Sequence, residues 1–210
     1  KMELIKKLLR LLISIITISY YIFANSEIDI NDSRFSAKIK RDEWGVPHIY
    51  GKRDADVSFG LAYAHAQDDY KTMEDVIFAL RGELAIIHGK DAAVNDYYVH
   101  LMDFWGMIEN RYSTDVPYEV RLLCQGYAAG INKFLDDNSN LKRKDFNPVT
   151  AKDIIVGFSH RMPLMFGLDG VMKKLSKNKP PELIGHHDNL QNGQFDMIAS
   201  NVMAVGPQKS

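Results

Sequence analysis

The sequence has very little cysteine, since Cys124 is the only one among 210 residues. A single cysteine cannot form an internal disulfide, and it excludes a zinc site built from several thiolates. Leu122, Leu123 and Tyr127 lie around Cys124 with apolar spacing typical of a helix. We therefore expect the thiol to be buried in a helix and to have a structural role.

The sequence also carries little net charge. Its 26 basic and 27 acidic residues give a net charge of −1, and no basic block is interleaved with aromatic residues. A nucleic-acid partner would require such a basic surface, so none is expected. The hydrophobic fraction of 46% is that of a globular protein with one sizeable core or two small ones.

A long hydrophobic run is missing near the N-terminus. The uncharged run at residues 11–24 has 14 residues, whereas a spanning helix needs about 20. Basic residues precede the run and polar residues 25–27 follow it, an order typical of a secretory signal peptide. Residues 1–24 are therefore predicted to be a signal segment and the only part that meets a membrane, and the mature protein is predicted to be periplasmic or secreted. A membrane anchor would require the apolar helix to extend back past Arg10.

Alternating residues on either side of positions 42–45 predict a hairpin of two short strands within residues 35–50. Pro47 lacks a donor N–H, so the second strand should lie at a sheet edge or begin at this residue. His48 is interpreted as a hydrogen-bonded strand residue.

Apolar spacing of three and four residues predicts helices through most of the remaining chain. One bent helix or two helices are expected over residues 54–87, with Gly60 and residues 67–69 at the bend and Gly89 at the end. Further helices are expected over 92–107, from Pro117 to about Leu135, and from a capping box at Thr150 to about Phe166. The predicted core comprises Val57, Leu61, Met73, Ile77, Leu80, Leu123, Tyr127 and Ile155.

His65, Asp68 and Asp69 have the composition of a metal cluster. Their spacing places them on one helix face, but no further Glu or His follows at a recognised ligand interval. We interpret them as a solvated or capping face and predict no metal there.

Residues 171–199 differ from the rest of the chain in composition. They contain a lysine-rich stretch, Pro180-Pro181 and several His, Asn and Gln residues, few of which could join a core. This composition indicates a linker or a pro-segment, and an ordinary interdomain loop fits it equally well.

Ser200 lies in the C-terminal stretch D-M-I-A-S-N-V-M-A-V-G-P-Q-K-S at residues 196–210. If the chain were cut before Ser200, its free α-amine, with a pKa of roughly 7.7–8.0, could act as the general base for its own hydroxyl. The same Ser-Asn pair before apolar residues is also typical of the start of a strand.

Four segments in order resemble the penicillin acylase family. They are R-D-E-W-G-V-P-H-I-Y at 41–50, D-V-S-F-G-L-A-Y-A-H-A-Q-D-D at 56–69, M-E-D…R-G-E-L-A…G at 73–89, and A-S-N-V-M-A-V-G at 199–206. The C-terminal segment is similar to the acyl-homoserine lactone acylase branch. The resemblance implies an exported precursor that cuts itself between Ala199 and Ser200, loses a spacer and forms an αβ heterodimer that hydrolyses amides such as acyl-homoserine lactones or penicillins.

The same resemblance implies an α+β fold, in which a mostly helical α-subunit with short strands completes an αββα N-terminal nucleophile hydrolase fold. The β-subunit is expected to be largely absent from this chain. The implied organisation is a signal peptide at 1–24, an α-subunit-like helical domain at 25–170, a spacer at 171–199 and the start of the β-subunit at 200–210.

Two positions depart from the family pattern. The substrate-lining Arg-aromatic pair falls on Arg161 and Met162, and the methionine favours a flexible aliphatic acyl group over an aromatic one. The calcium-ligating glutamate of some members falls near Leu168 and Asp169, where no glutamate is present, so no cofactor is expected.

In the implied reaction Ser200 is the catalytic nucleophile, the β-subunit supplies the oxyanion hole, and this chain alone is inactive. The alternative from a different class is a non-catalytic helical binding module or a decayed gene product.

The signal segment predicts removal of about the first 24 residues on secretion. N-terminal sequencing of the mature protein should find a terminus just after Ala24 or Ser26. A membrane fraction in which residues 2–10 are still attached would instead indicate an anchored protein.

Overall fold

The computed structural model describes residues 7, 10–14, 27–168 and 170–171. The chain divides into two compact units, Lys1–His160 and Arg161–Ser210. The described elements are strands β1 (Glu27–Asn31), β2 (Ser36–Arg41) and β3 (Pro47–Gly51), and helices α1 (Asp54–Arg81), α2 (Leu84–His88), α3 (Ala93–Leu101), α4 (Phe104–Asp115), α5 (Tyr118–Asp137) and α6 (Ala151–Pro163). A 3-10 turn at Lys90–Ala92 and a π-helical turn at Leu164–Leu168 complete them, so the fold is α+β, mostly helical with a small sheet.

The three strands form an antiparallel sheet in the order β1-β2-β3. The predicted hairpin is β2 and β3, and Pro47 opens the edge strand as expected. Asp42 fixes the turn by accepting the backbone N–H groups of Trp44 and Val46 at 2.9 and 3.0 Å. Strand β1 was not predicted, because its sequence begins within the polar residues that follow the predicted signal segment.

Helix α1 is bent at Asp69, whose backbone angles are φ −154° and ψ 61°. The bend predicted at residues 67–69 is therefore confirmed, and the Asp69 carboxylate caps the following turn by accepting Thr72 N–H at 3.2 Å. The bend predicted at Gly60 is wrong. A Cβ at Gly60 would lie 2.6 Å from Ile49 Cγ2 and 2.8 Å from Ala37 Cβ, so this glycine lets the helix approach the sheet.

The predicted stop at Gly89 is confirmed, since Gly89 caps the short helix α2 that ends this helical region. An additional break was not predicted. Helix α1 ends at Gly82, which has φ 71° and caps the helix in the left-handed conformation.

Helices α1 and α5 are in backbone contact. Cβ atoms added at Gly126 and Gly130 would each lie 2.2 Å from a carbonyl oxygen of α1, that of Ala55 and that of Phe59. Phe59 and Ala62 are fully buried on this side of α1. The two glycines therefore set how closely the main helices of the first unit can pack.

The single helix predicted over residues 92–107 is in fact two helices, α3 and α4. Asp103 separates them with φ 48°, and its carboxylate caps α4 by accepting Gly106 N–H at 3.2 Å. Helix α5 begins directly after Pro117, as predicted. The capping box at Thr150 is confirmed, because Thr150 N–H and Oγ1 both donate to Asp153 Oδ2, at 2.7 and 2.8 Å.

The predicted core is correct in part. Met73, Ile77 and Leu80 are buried, whereas Val57, Leu123, Tyr127 and Ile155 are half-buried. Leu61 is wrong, since it is 48% exposed. It projects from the side of α1 opposite the buried arc of Phe59, Gly60 and Tyr63, and the apolar spacing alone did not reveal that arc. Cys124 is buried, as expected.

The second unit is described over residues 161–168 and 170–171. It contains the end of α6 and the π-helical turn, where Phe166 and Gly167 leave helical geometry. Of the predicted signal segment at 1–24, only residues 7 and 10–14 are described. Among all described residues, no helix combines the length and the apolar character needed to cross a membrane.

The α1–α5 contact predicts that Gly130→Ala destabilises the protein, because the new methyl group would overlap the Phe59 carbonyl. We expect a loss of about 1–3 kcal/mol in urea unfolding. Gly157→Ala is the matched control, since its Cβ would lie at an ordinary 3.4 Å from Leu80 Cδ1 and alanine favours a helix. Equal unfolding midpoints for the two variants would contradict the close contact.

Candidate functional site

The predicted site residues occupy two different parts of the chain. Ala199 and Ser200 lie outside the described residues. Arg161 and Met162 are neighbours in the last turn of α6, and both are exposed. The structure therefore describes the substrate-lining pair of the predicted site and leaves its nucleophile and processing bond untested.

A polar network joins α3 to the turn of α6 that ends at His160. The Asn95 amide donates to Ala79 O at 2.8 Å and to Asp96 Oδ1 at 3.3 Å. The Asn95 Oδ1 atom thus faces His160 Nε2 as an acceptor, at 3.0 Å. This arrangement requires the His160 ring to carry a proton on Nε2.

The backbone and ring of His160 are held as well. Tyr98 OH donates to the His160 carbonyl at 3.1 Å. The imidazole packs at 5.2 Å from the Tyr98 ring and at 6.0 Å from the Phe104 ring, measured between centroids. Burial raises the pKa of Tyr98, which keeps its hydroxyl protonated as a donor.

The other end of α6 is fixed by a buried ion pair. Arg81 at the end of α1 donates to Asp153 Oδ1 at 2.8 Å and to Oδ2 at 3.1 Å. The same guanidinium donates to the carbonyls of Asn147 and Pro148. Asp153 is only 1% exposed, so its charge depends on Arg81 for compensation.

An open cleft of about 790 Å³ lies over this ion pair. Its walls come from the end of α1, the residue before α2, α3, α4, α5, the loop before α6 and the start of α6. The lining residues are Arg81, Glu83, His100, Trp105, Glu109, Tyr112, Gln125, Asn147, Pro148, Thr150, Ala151, Lys152 and Asp153. Two of the charges on its walls, Lys152 and Glu109, are paired with each other. Arg81 is committed to Asp153 and two carbonyls, so its guanidinium has a structural role.

The residues considered for metal binding have other partners. Asp68 pairs with Arg41 at 2.7 Å, and His65 Nδ1 lies 2.9 Å from Tyr127 OH. Within the described part of the chain, no group of three or more His, Cys, Asp or Glu residues could hold a metal ion. At the position where the family resemblance would put a calcium ligand, Leu168 has no side-chain oxygen and Asp169 is outside the described residues.

Two of the most connected polar residues were missed from the sequence. The side chain of Arg81 bonds to Asp153, which lies 72 residues away along the chain. The side chain of His160 bonds to Asn95, which lies 65 residues away. The capping box did identify Asp153, but a carboxylate that caps a helix gives no signal of a distant arginine. His160 directly precedes Arg161, and this adjacency was the only available hint.

Comparisons with known proteins agree on one family. The penicillin amidase family model matches residues 36–210. The chain is 26% identical over 199 residues to acyl-homoserine lactone acylase PvdQ of Pseudomonas fluorescens, covering 83% of this chain and 25% of that protein. It is 31% identical over 143 residues to penicillin G acylase of Escherichia coli, covering 66% of this chain and 17% of that protein.

A solved structure has a similar fold. The thermostable penicillin G acylase from Alcaligenes faecalis matches with a TM-score of 0.52 at 22% identity, over 87% of this chain and all of the matched chain. The present chain spans a quarter of the length of the Pseudomonas fluorescens relative.

The Arg81–Asp153 pair predicts a large effect of Arg81→Met, which leaves the buried Asp153 carboxylate without a cation. We expect a loss of about 3–5 kcal/mol in denaturant unfolding. Arg111→Met removes one partner of the exposed Arg111–Asp115 pair on α4 and should change stability little. Similar midpoints for the two variants would show that Asp153 is not compensated by Arg81.

Proposed function

The chain belongs to the penicillin amidase family, and from this premise we propose that it is the α-subunit, spacer and first β-subunit residues of an N-terminal nucleophile acylase precursor. One observation carries the proposal. The family match covers residues 36–210, a range that includes the hairpin, the helices and the segment with Ala199 and Ser200.

Cys124 carries the only thiol in the sequence, and it is a poor alternative to Ser200 as the nucleophile. Cys124 is buried in α5, and this burial raises the pKa of its thiol. A buried neutral thiol is a weak nucleophile, since the thiolate is the reactive form. The family resemblance assigns the nucleophile to Ser200 instead.

Processing begins when Ser200 Oγ attacks the carbonyl carbon of Ala199. The Ala199–Ser200 amide bond breaks as an ester forms on Oγ, and the Ser200 nitrogen becomes a free amine. Water then hydrolyses the ester, which leaves a carboxylate on Ala199 and restores the Ser200 hydroxyl.

Catalysis uses the new terminus. The Ser200 amine accepts the hydroxyl proton while Oγ attacks the substrate amide, and the amine product leaves with a proton. Water releases the acyl group in a second attack. Oxyanion donors typically contribute about 10²–10³ in rate, and they are assigned to the β-subunit, so the present chain alone is expected to be inactive.

The β-subunit from the same precursor is the proposed partner, and it completes the αββα fold. The names of the relatives support N-acyl substrates, with acyl-homoserine lactones or penicillins as the candidates. Met162 favours a flexible aliphatic acyl chain beside Arg161. No cofactor is required by this chemistry, and the mature enzyme is proposed to be periplasmic or secreted.

Ser200→Ala in the full-length precursor should leave one uncut polypeptide without amidase activity, because the hydroxyl is lost from both reactions. Ser200→Cys should still permit cutting with altered turnover, since a thiol can attack the Ala199 carbonyl. Gel mobility and hydrolysis of acyl-homoserine lactones and penicillin G measure the two steps.

His48→Gln is the control for this experiment. Within the described residues the His48 side chain bonds to Asp42 at the hairpin, so this variant should cut and turn over normally. Cutting and activity in Ser200→Ala would exclude Ser200 as the nucleophile. A wild-type precursor that neither cuts nor hydrolyses either substrate would favour a non-catalytic module.

A further inference from the structure

His160 is attached to α3 at two points. Its side chain donates to Asn95, and its carbonyl accepts a hydrogen bond from Tyr98. One bond fixes the ring and the other fixes the backbone. Together they restrain both the rotation and the position of this turn of α6.

The end of α6 has a weakened internal hydrogen-bond ladder. Pro163 has no N–H, so the carbonyl four residues earlier, at Ser159, loses its usual helical donor. From Leu164 to Leu168 the chain forms a π-helical turn. The last turn of the helix thus depends more than usual on contacts made from outside it.

The contacts from α3 are themselves rigidly supported. The Asn95 amide is fixed by the Ala79 carbonyl at the end of α1. The carboxylate of the next residue, Asp96, accepts the N–H groups of Leu84 and Ala85 at the start of α2, at 2.8 and 2.9 Å. His160 is therefore connected through Asn95 to the end of α1, and the neighbouring Asp96 holds the start of α2.

We propose that His160 is a positioning residue for acyl-chain recognition. The residues Arg161 and Met162 continue α6 directly from His160, and the anchoring of His160 by Asn95 and Tyr98 limits the conformations that they can adopt. This inference rests on the proposed function, in which Arg161 and Met162 line the acyl site. A loosened anchor should therefore alter the selection of acyl chains before it alters the chemical step.

Tyr98→Phe in the processed full-length enzyme removes one hydroxyl and keeps the ring against His160. For a long-chain acyl-homoserine lactone we expect KM to rise by up to about tenfold, because one lost hydrogen bond sets the upper limit of the effect. We expect kcat to be nearly unchanged and the effect on a short-chain substrate to be smaller. The matched control is Tyr63→Phe, which removes a buried hydroxyl bonded to Asp137 at 3.1 Å. An equal change of chain-length preference in both variants would overturn the proposal.

His160→Leu and His160→Gln test the side-chain bond. Leucine leaves Asn95 Oδ1 without a donor, whereas the glutamine amide can donate to it. We expect His160→Leu to raise KM for the long-chain substrate. We expect His160→Gln to have a KM much closer to that of the wild-type enzyme. The same kinetics in both variants would overturn the role of the Asn95 bond.

Amide hydrogen exchange provides a readout that does not depend on activity. Tyr98→Phe should increase exchange in peptides spanning residues 158–168, and Tyr63→Phe should not. If exchange in these peptides is unchanged in Tyr98→Phe while the enzyme is active, the anchoring of His160 is overturned but the proposed function is not. An inactive wild-type enzyme would overturn the proposed function and, with it, the role in acyl selection.

Discussion

The backbone contact between α1 and α5 is the constraint on which the first unit depends. Gly126 and Gly130 present no side chain to α1, so the carbonyls of Ala55 and Phe59 lie where a Cβ would otherwise be. On another side of α1, the missing side chain of Gly60 lets Ile49 and Ala37 of the sheet approach the helix closely. One helix therefore touches both the sheet and its helical partner at close range, and small residues at these points are required by geometry rather than by flexibility.

The position of α1 in turn determines what its C-terminal end can do. Arg81 reaches the start of α6 and the preceding loop, while the carbonyl of Ala79 orients Asn95 toward His160. Within the first unit, α6 is therefore held at its start by Arg81 and at His160 by Asn95. Both of these residues are positioned by α1. For this reason, a substitution at the α1–α5 contact should also affect the packing of α6.

Local signals in the sequence predicted the elements whose ends are set by local chemistry. The hairpin, the bend at Asp69 and the capping box at Thr150 all depend on residues within a few positions of one another. The break at Asp103 was not predicted, although the carboxylate of Asp103 caps Gly106 locally. The exposure of Leu61 was not predicted either, because it depends on which face of a helix meets a distant element. His160 was missed for the same reason, whereas Ser200 was identified by resemblance and stays a prediction.

The proposed processing turns Ser200 into a chain terminus. The most direct test is intact-mass analysis and N-terminal sequencing of the polypeptides obtained from the full-length precursor. We expect two chains, the larger of which begins Ser-Asn-Val-Met. A single uncut chain, or a terminus at another residue, would contradict it.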